Sequence, residues 1–288
     1  MPLFLLFLAF TYVPLFGWII AFVNYSPGKS IFQSEFVGFF NFTKISYNVK
    51  EFIMVMRNTL MLGFLNIIMT VVPLILAIMI NEVRSTKYKR VVQTITSFPN
   101  FISWVIVYAL AFSLFSVDGG VINRFLVDTG LAAKPYDLLG SASAVWTFQT
   151  IIYVWKTAGY SAIIYLGTIT GIDSEQYDAA MVDGANMFQE IRYITLPGVL
   201  PTYAIILILT VGNILSNGFD QYYVFHNALN HETIEVLDTY TYRLGIERYD
   251  FPFATAIGMF KSVTSIIMVT VSAFIVKSLT GTAIFSKE

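Results

Sequence analysis

The sequence predicts an all-α membrane protein: six transmembrane helices in one domain spanning residues 1–288. Three observations carry that expectation. Of the 288 residues, 56% are hydrophobic and only 12% are charged, against roughly 25% charged in an ordinary soluble domain, and the mean hydropathy is +0.69. Six stretches come close to or exceed the roughly 20 apolar residues that a helix needs to cross the hydrocarbon core. The chain also holds 26 Phe and 17 Tyr, as expected where rings line the two bilayer interfaces. A net charge of −1 and the lack of a basic tract offer nothing to nucleic acid. The chain has no cysteine, which excludes disulfides and thiolate metal sites, and its two histidines, His226 and His231, are too few for a conventional histidine metal site.

The first span covers residues 3–23, with a kink expected at Pro14. It lacks a basic leader and is too long for a signal-peptide core, so it is read as a membrane helix. The chain enters it almost at once, which leaves a short cytosolic tail ahead of it an open expectation. The second span covers 58–80 with Pro73 inside, a residue tolerated where neighbouring helices satisfy the freed carbonyl. The remaining spans cover 98–115, 142–166, 201–219 and 253–276. The loops between them, about 24–57, 116–141 and 220–252 on one side, are too short to be domains. No internal repeat is visible.

Orientation rests on the short loop 81–90, whose Arg84, Lys87, Lys89 and Arg90 mark it as cytoplasmic. With six spans, both termini and the loop of about 169–200 are then cytoplasmic as well. The outer loops carry eight basic residues, but long loops weigh little in this rule. That inner loop is longer than a turn requires. Ser174 is expected to cap a helix starting near Glu175, Gly184 to break it, and Asn186 to cap a second helix ending near Pro197. Two short helices at an angle, with Ala179 and Ala180 on the first, make a knob small enough for another protein's cleft. An amphipathic helix lying on the membrane explains the polarity, but not the paired Ala, the central Gly and the Leu-Pro together.

The run Asp178, Ala179, Ala180, then Gly184, and after nine intervening residues Ile194, Leu196 and Pro197 resembles the EAA signature of ABC-importer permeases, with Asp178 in place of the usual Glu. Asn81-Glu-Val-Arg84 through Arg90-Val-Val-Gln-Thr94, Phe101-Ile-Ser-Trp-Val105, Asp238 to Arg243 and Gly258-Met-Phe-Lys-Ser262 extend the likeness to the carbohydrate importers for complex oligosaccharides. The resemblance implies a type I importer architecture in a bacterial cell membrane. It also implies four kinds of partner: a second related permease, two ATPase subunits, an extracellular sugar-binding protein and an oligosaccharide substrate. The coupling residues it implies are Asp178, Ala179, Ala180, Asp183, Gly184, Ile194, Leu196 and Pro197.

The chain carries no engine of its own. Gly28-Lys29-Ser30 is the one fragment of a phosphate-binding loop, and Val23 stands where its first Gly belongs. No hydrolase or metalloprotease motif appears. ATP and Mg are therefore expected on the ATPase partners, with no cofactor or metal here and no catalytic residue. For the solute path, Asn213, Asn217 and Gln221 at i, i+4 and i+8 form one stripe of a helix, with Asp220 beside it. Tyr153, Lys156 and Tyr160 share a face of the fourth span. Amides suit hydroxyl-rich ligands, and the same groups can instead bond across helices. Lys156 is expected to pair with an acid on a neighbouring helix and Lys261 to snorkel. An ion-coupled transporter or channel, with Lys156 and Asp220 in its pathway, is the alternative reading, although such folds often show inverted repeats. A membrane scaffold without transport would not need the polar stripes.

Overall fold

The computed structural model describes residues 2–280, which are helical almost throughout; among them the one extended pairing is an isolated bridge between Val23 and Phe36. The two chain ends, expected on the same side, lie outside the described residues. Helix α1 (Pro2–Tyr12) continues as a 3₁₀-helix over Val13–Phe22. The change falls at Pro14, which has no N–H for the α ladder. This arm of 20 residues is long and apolar enough to cross a membrane, and none of its apolar window is buried within the chain.

Helices α2 (Val49–Met69) and α3 (Val71–Asn81) form one long rod with a hitch at Thr70. Pro73 cannot donate to Met69, so the ladder tightens there. The Thr70 hydroxyl and N–H both turn back to the Ile67 carbonyl, at 2.7 and 3.2 Å. The helical run starts at Phe40, so much of the expected outer loop 24–57 is helix. At its other end, only residues 82–85 separate α3 from α4 (Thr86–Ser97); most of the basic loop is thus the first turns of a helix.

The third predicted span is not straight. α4 ends in a 3₁₀ turn (Phe98–Phe101), and α5 (Trp104–Phe115) leaves at 100°. Pro99 and the Ser103 N-cap, whose Oγ accepts from Ile106 N at 3.4 Å, restart the chain in a new direction. Twelve residues make about 18 Å of helix, too short to cross unaided. α6 (Val121–Asp128) lies beyond it.

α7 (Val145–Thr170) is the central element, 26 residues or about 39 Å long. It corresponds to the fourth predicted span but is too polar to qualify on composition. Among the described residues, four helices are long and apolar enough to cross a membrane, five if the bent pair counts as one. The expected six is reached only by adding α7. Its polar groups are sheltered: Gln149, Thr150 and Lys156 are all buried.

After α7 come α8 (Ser174–Val182) and α9 (Met187–Glu190), a π-helical turn (Ile191–Thr195), and α10 (Leu196–Gly212). The second inner helix does not stop near Pro197. The wide turn ahead of it absorbs the missing N–H, and the rod runs on to Gly212. The fifth span therefore starts early and also ends early, since residues 213–218 are irregular before α11 (Phe219–Phe225). α12 (Leu237–Tyr242) passes through a π turn (Arg243–Glu247) towards α13 (Phe251–Thr280).

Three apolar clusters hold the bundle. One joins Leu62, Val107, Phe148 and Phe225; a second joins Val55, Leu215, Tyr240 and Ile257; a third joins Ile80, Tyr165, Ile169 and Val199. α7 contributes to the first and the third, and thereby spans the molecule.

Candidate coupling loop and membrane cavity

The loop after α7 is built as a projecting knob. The cap of α8 is Asp173, whose Oδ1 accepts from Glu175 N at 3.0 Å; the expected cap, Ser174, is already the first helical residue. No residue of α8 is buried, and Asp178, Ala179 and Asp183 are exposed. Gly184 stops the helix with φ +77°. The next N–H, of Ala185, reaches back to the Ala180 carbonyl at 2.9 Å, closing a left-handed C-cap. This geometry explains the spacing of the signature: Gly184 has to follow where the Ala180 turn closes. Asn186 caps α9 in a reciprocal box with Gln189, at 2.8 and 3.1 Å, as expected.

The knob is tied to its stem. The Tyr177 hydroxyl meets Thr195 Oγ1 at 2.9 Å, and Thr195 is fully buried. Leu196 packs on the third apolar cluster and Ile194 is half-buried, whereas Pro197 is exposed. The outward tip offers Met181, Val182 and Phe188, at 70%, 88% and 77% exposure. An apolar tip on a well-capped stalk is suited to a groove in another protein.

The stripe expected on the fifth span does not exist as a stripe. Asn213 is the C-cap of α10 and its Nδ2 donates to the Leu209 carbonyl of its own helix at 2.9 Å. Asn217 lies in the irregular stretch, and Gln221 belongs to α11. The helical period breaks because Asn213 closes the helix and Gly218 takes φ +97°. The Asp238 carboxylate then pins the break, accepting from Gly218 N at 3.1 Å and pairing with Lys261. Lys261 thus has a partner and does not snorkel.

The break nevertheless gathers most of the candidates. A cavity of about 370 Å³ is lined by Tyr153, Asn66, Asn213 and Asn217. A second, of about 400 Å³, is lined by Tyr153, Lys156, Asn217, Asp220 and Gln221. Both volumes fall within the roughly 300–1,000 Å³ of small-molecule clefts, and they share Tyr153, Ser216 and Asn217. Tyr160 lines neither; half-exposed, it lies edge-on to Phe101 with centroids 6.1 Å apart.

Lys156 also differs from expectation. Among the described residues its ammonium meets no acid. It donates to the carbonyls of Pro99, Asn100 and Ile102 at 3.2, 2.8 and 2.7 Å and lies 5.3 Å from the Trp104 ring. The bend turns these three carbonyls towards one point, where the buried cation meets them; that of Pro99 also accepts from Ile102 N at 3.2 Å.

Sequence reasoning missed a charge network. Arg243 forks onto Glu235 at 2.6 and 2.9 Å and reaches Glu51 at 2.7 Å. The motif from Asp238 to Arg243 signalled it; Glu235 lies 8 residues away, but Glu51 is 192 residues off in sequence. The rings of His226 and His231 bond at 2.8 Å. Burial and the neighbouring His231 hold the His226 pKa below its ordinary value.

The profile of the family described as "Binding-protein-dependent transport system inner membrane component" matches residues 69–281. Protein LplB of Bacillus subtilis is 39% identical over 285 residues, 99% of this chain and 89% of that one. The polygalacturonan/rhamnogalacturonan transport system permease protein YteP of the same organism is 39% identical over 264 residues, covering 91% and 81%. Among solved structures, a bacterial alginate ABC transporter in complex with an alginate pentasaccharide-bound periplasmic protein superposes with a TM-score of 0.87, at 35% identity and with 98% and 93% coverage. The chain belongs to the family of binding-protein-dependent transport system inner membrane components.

Proposed function

We propose that this chain is a membrane-spanning permease subunit of an ATP-driven ABC importer, and that it carries an oligosaccharide handed over by an extracellular binding protein. The chain pairs with a second related permease. Two ATPase subunits bind ATP and Mg and engage the knob of α8 and α9. The family assignment supports the importer class, and the saccharides named for the relatives support the substrate class. The observation that carries the coupling role is the exposed, rigidly capped tip at Met181, Val182 and Phe188. In this reading, the knob faces the cytoplasm, both termini lie on the same side, all six predicted spans including α7 cross the bacterial cell membrane, and the cavities around Tyr153 border the solute path.

The test is assembly. Cysteines introduced at Ala180 or Val182 should crosslink to a co-purifying soluble ATPase. Reaction of those positions with a membrane-impermeant reagent in intact cells would remove both the orientation and the docking role.

A further inference from the structure

Helix α4 has two unlike faces. One is committed to the bundle: Val92 packs on the third apolar cluster, Ser97 is buried, and Gly159 of α7 lies against the Thr96 backbone so closely that a Cβ would collide with it. The other face is bare, with Lys87, Tyr88, Arg90, Val91, Ile95 and Phe98 exposed along it. Steps of three and four residues keep these side chains on one side of the helix. Phe101, also exposed, prolongs the row beyond the helix end. The bare face therefore runs from charged to apolar.

The cations on this face have no partner within the chain. Lys89 turns inward and donates to Asn81 Oδ1 at 3.1 Å. Among the described residues, Lys87 and Arg90 make no ion pair and no side-chain hydrogen bond. With Val91, Thr94 and Ile95 they line an open depression of about 330 Å³. Val92 shares its cluster with Ile172 and Leu196 at the stem of the knob, so the basic end of α4 lies at the knob's end of the bundle. The rise from Lys87 to Ile95 is about 12 Å, enough to pass through a headgroup layer of roughly 5–8 Å and into hydrocarbon. Two cations followed by branched aliphatic side chains match a phosphodiester joined to acyl chains.

We infer that the bare face of α4 is a binding site for an anionic glycerophospholipid, with Lys87 and Arg90 on its phosphodiester and Val91, Ile95 and Phe98 against its acyl chains. A guanidinium holds phosphate oxygens two at a time, and an ammonium adds a point charge. A soluble partner would cover the cations and leave the apolar row wet. A zwitterionic lipid would cover the row but bring its own cation to the charged end. The inference goes beyond the permease reading and takes from it only that the chain crosses a bilayer.

The test uses the complete complex in phosphatidylcholine proteoliposomes. Trace phosphatidylglycerol or phosphatidylcholine, each with a photoactivatable diazirine on one acyl chain, is crosslinked to it, and the adducts are mapped by peptide mass spectrometry. Three forms are compared: the wild type, Lys87→Gln with Arg90→Gln, and the charge-keeping exchange Lys87→Arg with Arg90→Lys. In the wild type, phosphatidylglycerol should label residues 91–98 about thirtyfold more than phosphatidylcholine, the preference that two cations near a headgroup give. The neutralised form should lose that preference and the exchange should keep it. Equal labelling by the two probes in the wild type overturns the site, as does a preference that survives neutralisation. Should the neutralised form fail to assemble, the wild-type ratio and its retention in the exchange decide. Suppression of the labelling by soluble glycerol 1-phosphate would make the ligand a free phosphate and overturns the lipid assignment. A lack of lipid adducts on residues 91–98 means that a protein subunit covers the face, and overturns it too. Sugar uptake in the same vesicles reads the permease function separately, so the site can fail while that reading stands.

Discussion

The asparagines at the end of α10 separate passage from packing. Asn213 donates to the Leu209 carbonyl of its own helix, so its side chain holds no other element in place. Asn213→Leu should leave the heteromer assembled and lower sugar uptake about three- to tenfold, roughly one lost hydrogen bond to the solute. Transport assays paired with co-purification of the subunits check this, and loss of the complex would show a structural role. Asn217 bonds the Thr59 carbonyl on α2 at 3.2 Å, so Asn217→Leu should also cost about 1 kcal/mol of stability. Both residues were legible as candidates, because amides within an apolar segment have to meet protein or a cavity. Their arrangement was not: a break of six residues between α10 and α11 replaces the continuous helix that the spacing assumed.

Two elements carry the next tests. The turn at Gly184 has φ +77° and open space around a would-be Cβ, so substitution there strains the backbone without any clash. Gly184→Val should cost about 1–2 kcal/mol locally and impair substrate-stimulated ATP hydrolysis with the bundle intact. Gly184→Asn, which tolerates the left-handed region, should retain more coupling. A fully coupled Gly184→Val complex would make the glycine incidental. The other element is the junction of α12 and its π turn, where Arg243 bridges Glu235 and Glu51 with side-chain exposures of 18%, 3% and 17%. Arg243→Met strands the Glu235 carboxylate, left with His231 at 3.6 Å, while Glu51 keeps Asn48 and Arg248; it should destabilise the protein by about 3 kcal/mol, read as a drop in Tm in detergent. The double variant Arg243→Met with Glu235→Gln should lose less than the two single losses added together.

At the scale of the whole molecule, the absence of cysteine makes topology directly measurable. Single cysteines at Val182, 88% exposed on the knob, and at Leu131, 72% exposed between α6 and α7, should label from opposite sides of the membrane. Labelling of both from the same side would contradict the proposed path of the chain. The architecture also explains why one predicted span fails on composition. α7 lies between two of the three apolar clusters, and the enclosing helices shelter Gln149 and Lys156 from lipid. The ion-coupled alternative loses its main support here too, since Lys156 faces carbonyls and no acid.

The sequence alone determined the class, the helical content and the exposed knob after α7. Apolar length, a capping box at Asn186 and a glycine set where a left-handed C-cap falls are local properties, set by the residues within a few turns. It determined most of the candidate site as well, because polar groups in apolar segments are few and conspicuous. Only the tertiary structure decided how those groups meet. The 100° bend before α5, the break that Asp238 and Lys261 pin, the carbonyl latch of Lys156 and the Glu51–Arg243–Glu235 network all join residues distant in sequence. Each exists because a buried carbonyl, amide or charge must find a partner, and the nearest one is fixed by how the helices pack.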